Sequence, residues 1–197
     1  MKQFPNVPAD ARELIEKFVD RLVKGEIDHA SARCELGLAL GRSGHHELSD
    51  FDWVEAILDV NFSLRCGWRQ YGGGFNPADL DQWPAQELYR AFDRKVPRVN
   101  PTWAERFRMA GGQFFEQRMI ALRNSEVWNE LGNPKRFPDA LGYPYPPFAI
   151  NSGMQVKRVD RKTAMKFGLI DRDTQIHCVH LPPPLLHLDV EIPEEAE

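Results

Sequence analysis

The most metal-like grouping in the 197-residue chain is His177-Cys178 with His180, and His187 further on. Imidazole and thiolate are zinc ligands. Adjacent residues of an extended segment point to opposite sides, however, so His177 and Cys178 cannot easily share an ion, and His177 meets His180 only through a turn. His45-His46 stands in a polar stretch with no acid or cysteine at zinc spacing and reads as a surface pair. Tyr71-Gly72-Gly73-Gly74-Phe75 has the glycines of a phosphate-cradling nest. Neither a Walker-type lysine nor a GxGxxG pattern accompanies them, and no strand precedes them, so the run reads as a joint. Signatures of the GxSxG, SxxK and HExxH types are missing. Glu105, Glu116 and Glu126 have no spacing that pairs them for acid–base work. No catalytic residue, metal ligand or cofactor is expected.

A second kind of chemistry is charge. The stretch 60–123 carries a basic excess between two acidic ends, within a net charge of −4. Its cations include Arg90, Arg94, Lys95, Arg98, Arg106, Arg108, Arg118 and Arg123, and Trp83, Tyr89, Phe92 and Trp103 interleave with them. Basic residues alternating with aromatics suit single-stranded nucleic acid. They equally suit a protein interface, or core aromatics beneath surface arginines. Arg94, Lys95, Arg98, Arg106 and Arg108 are the residues assigned to a polyanion-facing surface.

The elements that must position these residues follow from periodicity and caps. Residues 10–24 place Leu14, Ile15, Phe18, Val19, Leu22 and Val23 on one helical stripe, stopped by Gly25. Residues 28–40 form a second candidate helix, weakened by Gly37, and 41–46 read as a polar linker. Ser49 opens an S-x-x-D pattern with Asp52, so a third helix is expected over about 50–70, with Cys66 packed beside Trp68 on it. Beyond the glycines, 77–83 reads as a short helix, and 84–93 fits either a helix with Leu88, Ala91 and Phe92 inward or a strand with Leu88, Arg90 and Phe92 on one side. The strand is favoured by the proline at its entry and by the extended 95–101. Thr102 caps a helix over 103–110, and 114–123 reads as one strand. Ser125 starts a helix that ends at Gly132, 155–159 alternates as a strand, and Asp160 caps a helix over 161–167 with Gly168 behind it. Residues 169–179 read as a final strand or irregular chain. The fold class is α+β. An N-terminal helical arm over 1–71 precedes a mixed body of short strands and helices over 75–181, and 182–197 form a proline-rich acidic tail.

The segment 143–154, YPYPPFAINSGM, is neither helix nor central strand, because Pro144, Pro146 and Pro147 lack N–H groups and push their predecessors towards extended geometry. It is expected to be a pinned, extended loop with an aromatic surface, closing in a tight turn at Asn151–Gly153. Tyr143, Tyr145, Phe148, Asn151 and Met154 are its candidate partner-binding residues. Three widely spaced cysteines (Cys34, Cys66, Cys178) with no CxxC point to reduced thiols in a cytosolic setting. The first ten residues lack an apolar core for a signal peptide, and no run of 18 apolar residues provides a membrane span.

From Trp68 to Leu169 the chain resembles phage minor head, or head-morphogenesis, proteins. The resemblance rests on LDQWPAQELYR from Leu80, RKVPR from Arg94, WAERFRMAGG from Trp103, RMIALR from Arg118, Val127-Trp128, YPPFAINSGM from Tyr145 and VDRKTAMKFGL from Val159. The order and spacing of these pieces carry it. Many such domains end in a PPxHPxCR motif. Here PPFAINSGM stands without His or Cys, so no metal or thiol role comes with the resemblance. It implies a non-enzymatic structural protein of phage or prophage head assembly. Its partners would be portal or capsid subunits, with packaged DNA and further copies of the chain as additional contacts. It would be cytoplasmic during assembly and in the virion head afterwards. The competing readings are an enzyme acting on nucleic acid or nucleotide (a nuclease or transferase) and a nucleic-acid-binding module.

Overall fold

The computed structural model describes residues 7–72, 76–92, 101–178 and 180–190. The chain is α+β and forms two compact units. One comprises Met1–Cys66 with Pro184–Glu197, the other Gly67–Pro183. The division falls inside a helix, upstream of the glycine run that reads as a joint in the sequence. Gly73, Gly74 and Phe75 of that run lie outside the described residues.

The first unit is helical. Helix α1 (Ala9–Lys24) buries Ala11, Ile15, Phe18, Val19 and Leu22, and ends at Gly25, whose left-handed backbone closes the last turn onto the Arg21 and Leu22 carbonyls. Helix α2 (His29–Arg42) starts where the Asp28 side chain accepts from the Ser31 N–H, and it buries Ala32, Leu36 and Leu40. It overruns the expected polar linker, which shrinks to a turn and a 3-10 helix over His46–Ser49. Helix α3 (Phe51–Gly72) begins differently from the sequence reading. Ser49 donates its hydroxyl to the His46 carbonyl, while Asp50 Oδ1 accepts from the N–H groups of Asp52 and Trp53. Asp50, not Ser49, is the cap. Trp53, Ile57 and Leu64 of α3 are buried, and Arg33–Glu55 (3.0 Å) and Arg65–Glu16 (3.1 Å) tie the three helices together at their rims.

The second unit is built on an antiparallel sheet in the order β2-β3-β1-β4. Helix α4 (Pro77–Gln82), capped by Asn76, leads into β1 (Ala85–Arg90). Helix α5 (Trp103–Met109) carries a full capping box between Thr102 and Glu105. The expected single strand over 114–123 is a hairpin of β2 (Gln113–Phe115) and β3 (Arg118–Leu122). Glu116 and Gln117 turn it with φ of 50° and 66°, in place of the Asn-Gly that would have announced such a turn. Helix α6 (Glu126–Leu131), β4 (Met154–Val159) and α7 (Arg161–Lys166) follow their Ser125 and Asp160 signals. Residues 169–178 are irregular.

Both faces of the sheet are covered. Leu88, Ala121 and Met154 face Trp103, Phe107, Trp128 and Phe148 on one side. Ala85, Ile120 and Val159 face Leu80, Ala164, Ile170 and Ile176 on the other. The alternation follows from the two-residue period of a strand, and the register sets Gln86 opposite both Ala121 and Arg158 on the first face.

Candidate functional site

The loop over 143–154 is pinned as expected, but its aromatic side chains point inward. Tyr145, Phe148 and Met154 are 1%, 0% and 2% exposed. This corrects their assignment as partner-binding residues. Phe148 stacks on Trp128 (ring centroids 6.2 Å apart) and lies 6.4 Å from Trp103, so it closes the apolar layer over the sheet. Tyr143 is half-buried and stacks on Tyr145 at 5.3 Å, and Tyr145 in turn meets Tyr71 at 5.5 Å. Asn151 alone of the five is exposed, and its φ of 49° makes it a turn residue. The physical reason for the inversion is hydrogen bonding. The Leu141 N–H donates to the Phe148 carbonyl, Ala140 bridges Ala149, and the buried Ser152 hydroxyl donates to Pro147 and accepts from the Met154 N–H. With its backbone satisfied internally, the loop can afford to bury its rings.

Two glycines outside the loop make room for it. A Cβ on Gly67 of α3 would stand 1.9 Å from the Pro146 carbonyl oxygen, and one on Gly132 would stand 1.9 Å from that of Tyr143. The loop thus packs backbone against the last turns of α3, leaving an open cleft of about 310 Å³ bordered by Gln70, Tyr71, Tyr145, Gln86, Arg123 and Arg158. Burial raises the Tyr71 hydroxyl and the nearby Cys178 thiol above their ordinary pKa values, so both stay protonated at neutral pH.

The assigned polyanion-facing residues divide. Arg94, Lys95 and Arg98 lie outside the described residues. Arg106 is 4% exposed, paired with Asp139 at 2.8 Å, and its guanidinium lies over the rings of Phe137 (4.8 Å) and Trp103 (5.2 Å). That position corrects its assignment: Arg106 is a core cation, held there by its alkyl stem and flat head. Arg108 is exposed and lies over Phe114 at 5.2 Å. Met109 and Phe114 flank the Gly111-Gly112 turn and are 47% and 36% exposed. Sequence reasoning passed over this patch, whose only signal was an apolar residue on each side of a glycine pair.

Several acids in this unit are engaged structurally. Asp79 accepts from Arg123 (2.9 Å) and Arg158 (2.7 Å), Glu87 from Arg118 (2.6 Å) and Lys157 (3.2 Å), and Glu105 closes its capping box. His177 is exposed while the neighbouring Cys178 packs against the second apolar layer. Among the described residues no three His, Cys, Asp or Glu side chains gather as a metal site. No helix among them is long and apolar enough to cross a membrane. The chain matches no protein-family model, no curated protein and no solved structure.

Proposed function

We propose that the protein is a non-enzymatic component of phage or prophage head assembly that acts by docking onto portal or capsid subunits. It would work in the cytoplasm during assembly and remain in the virion head. The ordered sequence pieces from Trp68 to Leu169 support the reading. One of them, YPPFAINSGM, is used as architecture: rings in the core, backbone satisfied internally, room made by Gly67 and Gly132.

The observation that carries docking is the turn patch of Arg108, Met109 and Phe114. Arg, Met and Phe are residues enriched at protein interfaces, and here an exposed guanidinium covers an aromatic ring beside an exposed methionine. Docking therefore moves from the proline loop to this patch. Asp79 and Glu87 already hold four of the basic side chains, which favours protein over nucleic acid as the main partner. The test has two steps: the neighbouring genes are expected to encode portal and major capsid proteins, and the protein is then co-expressed with them. The tagged wild type should capture one of them. The variant Arg108→Glu with Met109→Glu should melt at the same temperature and capture neither. Failure of the wild type to capture either subunit would end the proposal.

A further inference from the structure

The cleft beside the proline loop has a chemical character that docking does not use. Its charged side chains are Arg123 and Arg158, the Lys157 ammonium being turned to Glu87 on the other face of the sheet, and among the described residues no carboxylate borders it. Behind it, the single Asp79 carboxylate is shared by Arg123 and Arg158, so the two guanidiniums retain an uncompensated positive charge. Arg123 is 5% exposed and also lies within 3.5 Å of the Tyr71 carbonyl, so its position is fixed from two sides. Arg158 is half exposed and reaches the cleft from β4.

Gln86 is the telling residue. It is 5% exposed, it sits on the central strand opposite Arg158, and its Nε2 is buried without a hydrogen-bond partner. A buried donor with no acceptor costs stability, and native proteins rarely keep one without a use. A leucine at this position would cover the same strand face without that cost. Tyr71 and Tyr145 add an aromatic wall on the opposite side of the cleft.

We infer that this cleft binds an oxyanion, a carboxylate or phosphate group on a compact ligand, with Gln86 Nε2 and the Arg123 and Arg158 guanidiniums as its donors. The amide supplies a neutral directional hydrogen bond, and the arginines supply charge and a forked geometry that matches two oxygens. The tyrosine faces contact the body that carries the anion. The cleft and the Arg108 patch are separate, so either can fail without the other.

The test titrates the protein at constant ionic strength with inorganic phosphate in one arm and succinate in the other, following by NMR the Gln86 side-chain amide in the wild type and the backbone amides of Tyr71, Arg123 and Arg158 in the wild type and every variant. A saturable shift with phosphate, with succinate or with both supports the site and identifies the class of anion. Gln86→Leu should melt at the same temperature or higher, and should bind at least about tenfold more weakly, as expected for loss of one hydrogen bond to a charged group. Arg158→Gln should weaken binding at least about tenfold, as expected for loss of one charged donor, and should remain folded. No saturable shift with either anion up to about 20 mM, well beyond the millimolar affinities of weak sites, would overturn the inference. So would a Gln86→Leu protein that binds unchanged, or one that melts lower, since the amide would then be serving the fold.

Discussion

Asn61 and His187 exchange two hydrogen bonds across most of the chain's length. The Asn61 Nδ2 donates to the His187 carbonyl at 2.7 Å, and its Oδ1 accepts from the His187 N–H at 2.7 Å. The same Nδ2 donates to the Ile57 carbonyl one helical turn back at 2.8 Å. A side-chain amide thereby imitates a strand edge for an irregular segment. Asn61→Ala should lower stability by about 2 kcal/mol, because it strands buried backbone groups. Hydrogen exchange at His187 should accelerate more than exchange within α1. Unchanged protection there would refute the pairing.

Helix α3 contains a glycine that the helix alone would not choose. Gly67→Ala gains about 1 kcal/mol of helix propensity but drives a Cβ into the Pro146 carbonyl, so a net loss of about 2 kcal/mol or more is expected. Gly37→Ala in α2 meets only ordinary contact, at 3.7 Å, and should be neutral or stabilising by up to about 1 kcal/mol. Urea unfolding of the two variants should move in opposite directions.

The proline loop separates core from turn. Phe148→Ala should cost about 3–5 kcal/mol, the range for a buried aromatic truncation. Asn151→Gly at φ 49° should stay within about 0.5 kcal/mol of the wild type. If Phe148→Ala left thermal stability intact, the ring would not be packed as described.

Arg106 depends on Asp139. Removing the acid leaves a guanidinium buried between Phe137 and Trp103, and burial already holds its pKa below the usual arginine value. Asp139→Asn should therefore destabilise by about 2 kcal/mol, while Arg106→Met with Asp139→Leu should recover most of the loss. A double variant no better than the single one would argue against the pair.

The acid limb of stability should trace to caps. Hydrogen bonds from Ser31 to Asp28 and from Thr163 to Asp160 hold those carboxylates below their ordinary 3.8, and bonds from Thr102 hold Glu105 below 4.5. A depressed carboxylate stabilises the fold fully above its unfolded value, and that contribution is lost as pH falls through the lower native value. Melting temperature should thus drop below about pH 4. Asp28→Asn with Asp160→Asn, which keeps a cap but removes the titration, should flatten the drop. An identical pH profile in that variant would place the titration elsewhere.

Most elements were readable because their ends are marked by chemistry. Gly25, Asp28, Thr102, Ser125 and Asp160 each terminate or begin a helix through a hydrogen bond or a left-handed residue that sequence makes visible. The β2–β3 hairpin escaped because Glu116 and Gln117 adopt positive φ without the residue types that advertise it. Direction of the loop's rings escaped for another reason. Prolines announce extended backbone but not which side faces the core. The clue lay outside the loop, in Gly67 and Gly132, whose missing side chains mark a close approach that no local pattern names. Burial of Arg106 was hidden likewise, since its partner Asp139 is distant in sequence and the two rings over which it lies come from different elements.

The helical unit is written in two parts of the chain, with all of Gly67–Pro183 inserted between them. A ribosome therefore finishes α1, α2 and most of α3 long before it supplies His187 to Asn61. A premature stop anywhere in the insert, even close to its end, would leave the first-made unit with a stranded amide and no closing segment. The hydrogen bonds of Asn61 thus wait on a residue made 126 positions after it.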